Sequence, residues 1–338
     1  MIKEIIETLV NGNNLDIEES KQVMNMIMDG ELTSAQIASI LTAFRIKGET
    51  ATEIAGAALV MREKSTKINI EGDLIDTCGT GGDKSNTFNI STVSALVVAG
   101  CGVKVAKHGN KSVSSKCGSA DLLESLGVNI NVEPNVVEDC INQIGFGFLY
   151  APLLHGAMKH AAGPRREIGI RTIFNILGPL TNPAEAKYQI LGTYGPNLTE
   201  TMALALKNLG SKRAFIVHGE DGLDEITLTT RTKISELKDN EVKTYYISPE
   251  NYGLKRCQIN DLKGGSIEDN ANIALDILYG KDSHLKNIVL LNSAFALLCI
   301  NKVDTVEEGI NLADEVIEKK KALEVLEKLK QFTQRKEF

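Results

Sequence analysis

"IDTCGTGGDKSNTFNIST", residues 75–92, places three glycines and many hydroxyl and amide side chains between two apolar segments. Residues 74–76, "LID", predict a short strand, and residues 89–100 predict a helix that Gly100 ends. A glycine loop between a strand and a helix lets backbone N–H groups approach an anion, and the helix N-terminus adds a partial positive charge. The stretch therefore predicts an anion-binding loop, with a generic tight turn as the alternative. It matches neither GxGxxG nor GxxxxGK followed by Ser or Thr, which argues against dinucleotide-binding and P-loop functions.

Strands and helices alternate from residue 74 onward, a pattern typical of a parallel α/β sheet. We expect further strands at residues 103–106, 128–132, 214–219, 225–230 and 243–248. Because parallel strands end at one edge of a sheet, the loops that follow them should open on that same edge. The predicted fold class is α/β, with a small all-helical N-terminal domain and a large domain built on a mostly parallel central sheet.

Residues 1–64 are predicted to be helical throughout. Thr33 with Gln36, and Thr50 with Glu53, have the spacing of two capping boxes. The apolar face that follows the first box consists of Ile37, Ile40, Leu41 and Phe44. A helical lobe this small has too little interior to be very stable alone, so it should pack on the rest of the chain or on a second copy.

The domain boundaries follow from these patterns. We expect a helical domain at residues 1–66, joined by helices from about 155–180, and an α/β domain at residues 70–335. Thr305 and Glu308 predict another capping box, ahead of a long amphipathic helix that reaches toward residue 331. The lysines at 319–321 are expected on the solvated face of that helix.

Composition limits the classes of function. The net charge of the 338 residues is −7, so the bulk charge gives no general affinity for nucleic acid or anionic membranes. The first ten residues mix acids and lysine with apolar side chains, unlike a signal peptide, and no apolar run reaches the roughly 18 residues of a membrane span. The six cysteines are widely spaced without a CxxC pair, which indicates free thiols in a reducing cytoplasm rather than disulfides or a zinc site.

A second polar loop, "KHGNKSVSSKCGS" at residues 107–119, follows the next predicted strand. Its candidate ligands are Lys107, His108, Asn110, Lys111, Ser112, Ser114, Ser115, Lys116 and Ser119. Three lysines within ten residues of an acidic protein predict a local positive site for phosphate or diphosphate. The alternative is a solvated loop, and a structural hydrogen bond is the alternative to acid–base chemistry for His108.

A third loop, "HGEDGLDE" at residues 218–225, again follows a predicted strand and carries four carboxylates: Glu220, Asp221, Asp224 and Glu225. Hard oxygen ligands without nitrogen or sulfur partners suit Mg²⁺, which keeps several waters and is shared with substrate phosphates. The alternative is an acidic surface turn. Together the three loops predict a pocket for a multiply charged phosphate ester. Arg165 and Arg166 follow Pro164, and an arginine near that pocket would clamp a carboxylate unless it is a surface residue.

Five motifs occur in one order along the chain: "DTCGTGGD", "NTFNIST", "KHGNKSVSSKCGSADLLESLG", "RREIGIRTIFNILGPLTNPA" and "GEDGLDE". In this set and order the chain resembles the anthranilate phosphoribosyltransferases, a family with the nucleoside-phosphorylase-like fold. The resemblance spans nearly all of the chain. It implies a small helical domain, a large α/β domain, a homodimer formed through the helical part, and transfer of a phosphoribosyl group from phosphoribosyl pyrophosphate (PRPP) to anthranilate in tryptophan biosynthesis.

The same resemblance implies the residues of the site. The PRPP-binding residues would be Gly79, Gly82, Asp83, Thr87, Asn89, Ile90, Ser91, Thr92, Lys107, His108, Gly109, Asn110, Lys111, Ser112, Val113, Ser114, Ser115 and Ser119. Anthranilate would contact Gly79, Asn110 and Arg165, and Mg²⁺ would be held by Ser91, Asp224 and Glu225.

One segment departs from the family pattern. Family members commonly read HPAM and VAPVRRELG, whereas this chain reads "HGAM" and "AAGPRREIG". Gly156 and the shifted Pro164 are expected to alter the helical turn that carries Arg165, and with it the anthranilate channel rather than the reaction.

The implied reaction needs no strong general base, because a neutral aromatic amine is already a nucleophile, and the sequence offers no convincing base. Two other functions remain open at this point. A pyrimidine nucleoside phosphorylase would share the fold and a glycine-rich phosphate loop but would need no acidic magnesium pair. A non-catalytic relative that binds nucleic acid or a regulatory ligand should show a basic face, which the charge of −7 disfavours.

Overall fold

The computed structural model describes residues 1–83, 85–112 and 116–334. Its centre is a seven-stranded sheet with the order β3-β2-β1-β4-β5-β6-β7. The strands are β1 (Ile75–Gly79), β2 (Val105–Gly109), β3 (Phe146–Tyr150), β4 (Tyr188–Gly192), β5 (Arg213–Gly219), β6 (Thr232–Lys238) and β7 (Glu241–Ile247). Strands β1 to β5 pair in parallel, and β6 and β7 extend the sheet as antiparallel strands. The α/β class with a mostly parallel sheet is confirmed.

Two of the predicted strands are wrong. Residues 128–132 form no strand, because Asn129 bonds to the C-terminal Thr333 through both its backbone N (3.1 Å) and its side chain (3.2 Å). Residues 225–230 form none either, since the backbone of Ile226 is held by the side chain of Asn292, at 3.1 and 2.9 Å. Both segments alternate apolar and polar residues like a strand, but side chains from distant helices satisfy their backbone groups.

Fifteen helices lie within the described residues. They are α1 (Ile2–Val10), α2 (Ile17–Met28), α3 (Ser34–Lys47), α4 (Ala51–Glu63), α5 (Ile90–Gly100), α6 (Ser119–Ser125), α7 (Pro134–Ile144), α8 (Ala151–Leu154), α9 (Lys159–Ile168), α10 (Phe174–Leu177), α11 (Leu198–Asn208), α12 (Ile267–Leu278), α13 (His284–Cys299), α14 (Val306–Glu318) and α15 (Lys321–Thr333). Short 3₁₀ turns occupy Gly156–Met158, Gly178–Leu180, Pro249–Tyr252 and Ile259–Leu262.

The C-terminal helix is not continuous as predicted. It breaks into α14 and α15 at Lys320, whose φ of 60° lies in the left-handed region and cannot continue a right-handed helix. The lysine run therefore lies at a turn between two helices rather than along one face. The cap at Thr305 is half of the predicted box: its hydroxyl accepts from the Glu308 N–H at 3.2 Å, while the Glu308 carboxylate accepts from the N–H of Asp304.

The N-terminal helices share one apolar core with α9 to α11 and with one face of the sheet. Both predicted capping boxes, at Thr33 and at Thr50, are present. All four residues of the predicted apolar face are buried, and so are Ala161 of α9 and Phe174 of α10 in the same core. The opposite face of the sheet packs on α5, α13 and α15 in a second core. No helix in the described part of the chain is long and apolar enough to cross a membrane.

A buried ion pair fixes the helical lobe. The Glu53 carboxylate is fully buried and lies 2.8 Å from the Lys47 ammonium, whose side chain is 4% exposed. The same carboxylate accepts from the backbone N–H of Leu15 at 2.9 Å and of Thr50 at 2.8 Å. One side chain therefore joins the start of α4, the end of α3 and the loop before α2.

We predict that Glu53→Ala lowers the free energy of unfolding by about 3–5 kcal/mol, because it removes the charge partner of the Lys47 ammonium and the acceptor of the Leu15 and Thr50 N–H groups. Urea denaturation followed by circular dichroism measures the change. Glu63→Ala, on the exposed face of the same helix, should change stability by no more than about 0.5 kcal/mol. Equal losses in the two variants would contradict the role given to Glu53.

Candidate active site

A cleft of about 650 Å³ opens at the carboxyl ends of the parallel strands. The chain runs from β1 outward through β2 and β3, and then returns to β4 on the other side of β1. The crevice between two such neighbouring strands is where open α/β sheets bind their ligands. The glycine loop after β1, the polar loop after β2 and residues 224–225 after β5 all line the cleft. The prediction that the three loops converge is confirmed for the residues that the structure describes.

Asp224 packs against the ends of two neighbouring strands, and both strands end in glycine. Gly79 and Gly192 are register partners at the ends of β1 and β4. A Cβ atom at Gly192 would lie 1.5 Å from the Asp224 carbonyl oxygen, and one at Gly79 would lie 2.4 Å from its carboxylate. Both positions therefore require glycine because of space, and the Asp224 carboxylate reaches the glycine loop, where the Gly81 N–H donates to it at 2.9 Å.

Two half-buried carboxylates face the cleft side by side. Burial, reinforced by the negative charge of Asp83, raises the pKa of Asp224 to about 6. Burial and then the charge of Asp224 raise the pKa of Glu225 well above its ordinary value, and the Ser91 N–H donates to this carboxylate at 3.2 Å. Burial is the larger cause of both shifts, and the neighbouring negative charges add to it.

These carboxylates fit a divalent cation. Hard oxygen donors are the ligands that Mg²⁺ prefers, and a bound cation would favour the ionised form of both acids. In the described part of the chain no group of three or more His, Cys, Asp and Glu side chains could enclose a metal. Two carboxylates and the Ser91 hydroxyl leave the remaining positions to water and to phosphate oxygens, as Mg²⁺ usually requires.

Lys107 supplies a positive charge behind the cleft. Its side chain is 2% exposed, and its ammonium donates to the Thr77 carbonyl at 2.5 Å and to the Ser91 hydroxyl at 3.3 Å. Burial lowers its pKa, against the opposing charge of Asp76. Asp76 is itself fully buried, and burial raises its pKa to about 6 even though Asn182 donates to it at 2.8 Å.

Asn89 joins the glycine loop after β1 to the polar loop after β2. Its side chain donates to the Cys117 carbonyl at 3.0 Å, while its backbone N–H donates to the side chain of Asn270, on α12, at 3.2 Å.

The three lysines of the second loop do not form one positive site. Lys107 is buried, Lys111 lines the cleft but pairs with Glu124 at 2.8 Å, and Lys116 lies outside the cleft.

Most of the expected PRPP residues line the cleft. These are Gly79, Gly82, Asp83, Thr87, Asn89, Ile90, Ser91, Lys107, His108, Gly109, Asn110, Lys111, Ser112 and Ser119, together with Asp224 and Glu225. Thr92 is fully buried and does not line it, and Val113, Ser114 and Ser115 lie outside the described residues. Of the third loop, Glu220 pairs with Arg231 and Asp221 binds threonine hydroxyls, so neither lines the cleft.

Arg165 does not line the cleft in this conformation. Its guanidinium lies 4.9 Å from the centre of the Phe174 ring, and Pro164 is accommodated inside α9 beside it. The arginine that lines the cleft is Arg171, a residue that we did not select from the sequence although it stands in the same motif. Gly169 ends α9 in the left-handed conformation. Arg171 follows it by two residues, so the glycine is the sequence signal that could have placed Arg171 in a loop.

The two histidines near the cleft are neutral. His108 and His155 have ring centres 5.0 Å apart, and the Nε2 atoms of both are buried without a hydrogen-bond partner among the described residues. Burial, with the neighbouring His155, lowers the pKa of His108 to about 3, and burial lowers that of His155 to about 4. At neutral pH neither imidazole is a cation that could act as a general acid; the Nδ1–H of His108 donates to the Gly178 carbonyl at 3.2 Å, and only His108 lines the cleft.

We predict that Asp224→Asn stabilises the metal-free protein by about 1–2 kcal/mol at pH 7.5, since a pKa raised by about two units disfavours the folded state and partial exposure reduces the effect. The carboxyl titrates near pH 4 when unfolded and at about 6 when folded. The gain should therefore be complete above pH 6 and vanish as the pH falls toward 4. Urea denaturation at several pH values measures it.

Glu220→Gln, an exposed carboxylate of the same loop, is the matched control for this series and should leave stability within about 0.5 kcal/mol. An Asp224→Asn protein that is less stable than the parent at pH 7.5 would contradict the charge cost described here.

Comparison with known proteins identifies the family. The helical-bundle domain model of the glycosyl transferase family matches residues 3–65, and the α/β domain model of that family matches residues 71–323. The chain is 57% identical to the anthranilate phosphoribosyltransferase of Acetivibrio thermocellus, covering 98% of this chain and 97% of that protein. It is 51% identical to the enzyme of the same name from Persephonella marina, covering 98% and 99%.

Solved structures agree. The anthranilate phosphoribosyltransferase of Thermus thermophilus superposes with a TM-score of 0.93 at 40% identity, over 98% of this chain and 99% of that one. The Saccharomyces cerevisiae enzyme in complex with PRPP and Mg superposes with a TM-score of 0.90 at 29% identity, over 98% and 97%. The chain therefore belongs to the anthranilate phosphoribosyltransferase family.

Proposed function

We propose that this protein transfers the phosphoribosyl group of PRPP to the amine of anthranilate, giving N-(5-phosphoribosyl)anthranilate and pyrophosphate, a step of tryptophan biosynthesis. One observation carries the proposal. The Asp224–Glu225 pair, the amide-rich glycine loop and the Lys107 ammonium meet at one sheet edge. A site with these groups binds a magnesium–diphosphate, which an enzyme that uses only inorganic phosphate does not need.

The residues are assigned by family motif and by their position. We assign PRPP to the expected residues between Gly79 and Ser119 that line the cleft, together with Thr92, Val113, Ser114 and Ser115. We assign anthranilate to Gly79, Asn110 and Arg165, and Mg²⁺ to Ser91, Asp224 and Glu225. A magnesium ion held by these residues would supply electrostatic stabilisation of the leaving pyrophosphate. Arg165 keeps this assignment although its guanidinium packs on the Phe174 ring beside the cleft and does not line the cleft.

The chemistry follows from these groups. The bond between C1 of the ribose and the pyrophosphate oxygen breaks first, and both of its electrons leave with the pyrophosphate. Backbone N–H groups of the glycine loop, fixed before substrate arrives, bind the negative charge that develops there. The lone pair of the anthranilate nitrogen then forms the new bond to C1, and the nitrogen releases its proton to solvent water. The neutral His108 faces the cleft without serving as a strong base.

We predict that the double variant Asp224→Asn with Glu225→Gln lowers the magnesium-dependent turnover at least about 100-fold, because neutral amides do not neutralise a divalent cation. The loss of anthranilate fluorescence on adding PRPP and Mg²⁺ to the purified protein measures turnover. Glu220→Gln should retain turnover within about twofold, since this carboxylate lies outside the cleft.

Unchanged turnover in the double variant would overturn the metal assignment. A wild-type protein that leaves anthranilate fluorescence unchanged but cleaves uridine or thymidine with phosphate would be a nucleoside phosphorylase. One that binds DNA at low salt and shows neither activity would be a non-catalytic relative.

We also propose two domains, at residues 1–66 joined by about 155–180 and at residues 70–335, and a cytoplasmic location. The N-terminal helices share an apolar core with α9 and α10, which supports the proposed helical domain. The free cysteines, four of which are buried, support the proposed cytoplasmic location, because a reducing compartment keeps such thiols unpaired.

The homodimer is assigned to the helical domain. Three apolar side chains of this domain lie open to solvent: Ile46 is 82% exposed, Val10 65% and Met1 57%. In the proposed dimer a second copy would cover these exposed apolar side chains.

We predict that Ile46→Glu increases the dimer dissociation constant by at least about 10-fold, because it places a charge in an apolar contact. Analytical ultracentrifugation measures the constant. Tyr279→Glu, at a residue that is also open to solvent (59% exposed) but lies on the α/β domain, serves as the control and should leave the dissociation constant unchanged. A monomeric wild-type protein would contradict the proposed dimer.

A further inference from the structure

Arg171 is a cation of the cleft that neither the sequence nor the family motif assigns to a substrate. It lies in the loop between α9 and α10, and its half-buried side chain lines the cleft beside the glycine loop. Its guanidinium donates through Nη2 to the Gly82 carbonyl. A Cβ atom at Gly82 would lie 3.0 Å from the same Nη2, so glycine at this position leaves room for the arginine.

Arg171 carries an uncompensated charge. In the described part of the chain no carboxylate lies within 4.0 Å of its guanidinium, whereas Lys111, on the other side of the cleft, is paired with Glu124 at 2.8 Å. A guanidinium has five N–H donors, of which the Gly82 carbonyl takes one. The remaining donors have a planar, forked arrangement that matches the oxygens of a phosphate.

An aromatic ring holds the guanidinium in place. The centre of the Tyr194 ring lies 4.1 Å from the Cζ atom of Arg171, a cation–π distance. The backbone N–H of Tyr194 donates to the Thr80 hydroxyl at 3.0 Å, so the ring is itself attached to the glycine loop. Arg171 is therefore positioned before ligand arrives, and its charge lies next to the loop rather than next to α9.

We propose that Arg171 binds the diphosphate group of PRPP, a role that rests on the proposed function. The diphosphate needs cationic partners on the side of the glycine loop, because Asp83, Asp224 and Glu225 all bring negative charge to this part of the cleft. Lys107 balances part of that charge from behind the cleft, and Arg171 balances it from the rim. Contact with Gly82 places Arg171 at the diphosphate rather than at the aromatic acid.

The test compares Arg171→Ala and Arg171→Lys with Arg166→Ala, an exposed arginine of the same segment. With saturating Mg²⁺, Arg171→Ala should raise the KM for PRPP about 10- to 50-fold and leave the KM for anthranilate within about twofold. Arg171→Lys should fall in between, since lysine keeps the charge without the fork. Arg166→Ala should match wild type. Calorimetric titration of inorganic pyrophosphate with Mg²⁺ should show the same order of weakened binding.

The outcomes separate this inference from the proposed function. A rise in the KM for anthranilate with an unchanged KM for PRPP would overturn the diphosphate assignment, and so would an unchanged pyrophosphate affinity in both Arg171 variants. A wild-type protein that binds pyrophosphate but does not consume anthranilate would overturn the proposed function alone, because the pyrophosphate titration tests Arg171 directly. If Arg171→Ala does not fold, as judged by circular dichroism, the lysine variant decides the outcome.

Discussion

The site depends on the close approach of Asp224 to the ends of two neighbouring strands. Its backbone and carboxylate occupy the space that Cβ atoms at Gly79 and Gly192 would fill. This contact brings a residue that follows β5 against the glycine loop that follows β1, although 143 positions separate Asp224 from Gly81. The carboxylate pair and the amides of the glycine loop thus face one cleft because glycine ends both strands at the point where the chain reverses direction across the sheet.

The same contact concentrates charge at a cost to stability. Asp224, Glu225 and Asp76 all have raised pKa values, and Lys107 has a lowered one, because each is held away from bulk water. A protein selected for stability alone would not retain such groups, since each charge is worth more in water than in this environment. In the proposed reaction, a bound magnesium–diphosphate would give the Asp224 and Glu225 carboxylates and the Lys107 ammonium a partner of opposite charge.

The helical lobe and the sheet meet along the segment that contains α9 and α10. Phe174 belongs to the shared apolar core and also supports the Arg165 guanidinium. Arg171, a few residues earlier, contacts the glycine loop at Gly82. One segment therefore links the packing of the lobe to the geometry of the cleft, and the unusual Gly156 and Pro164 lie at its beginning. Pro164 fits within α9, and a Cβ atom at Gly156 would meet no atom within 4 Å.

The sequence alone determined β1, β2, β5 and β7, the capping boxes of α3 and α4, and the three loops, because these depend on local spacing and turn chemistry. It did not predict β3, β4 and β6. It failed at residues 128–132 and 225–230, where side chains of Thr333 and Asn292 take the hydrogen bonds that a strand would need. The tertiary structure alone decided which cations serve the cleft. Lys111 is neutralised by Glu124, Arg165 rests on Phe174, and Arg171 is left to face a ligand. Charge pairing is a property of distance in space, and residue spacing along the chain does not record it.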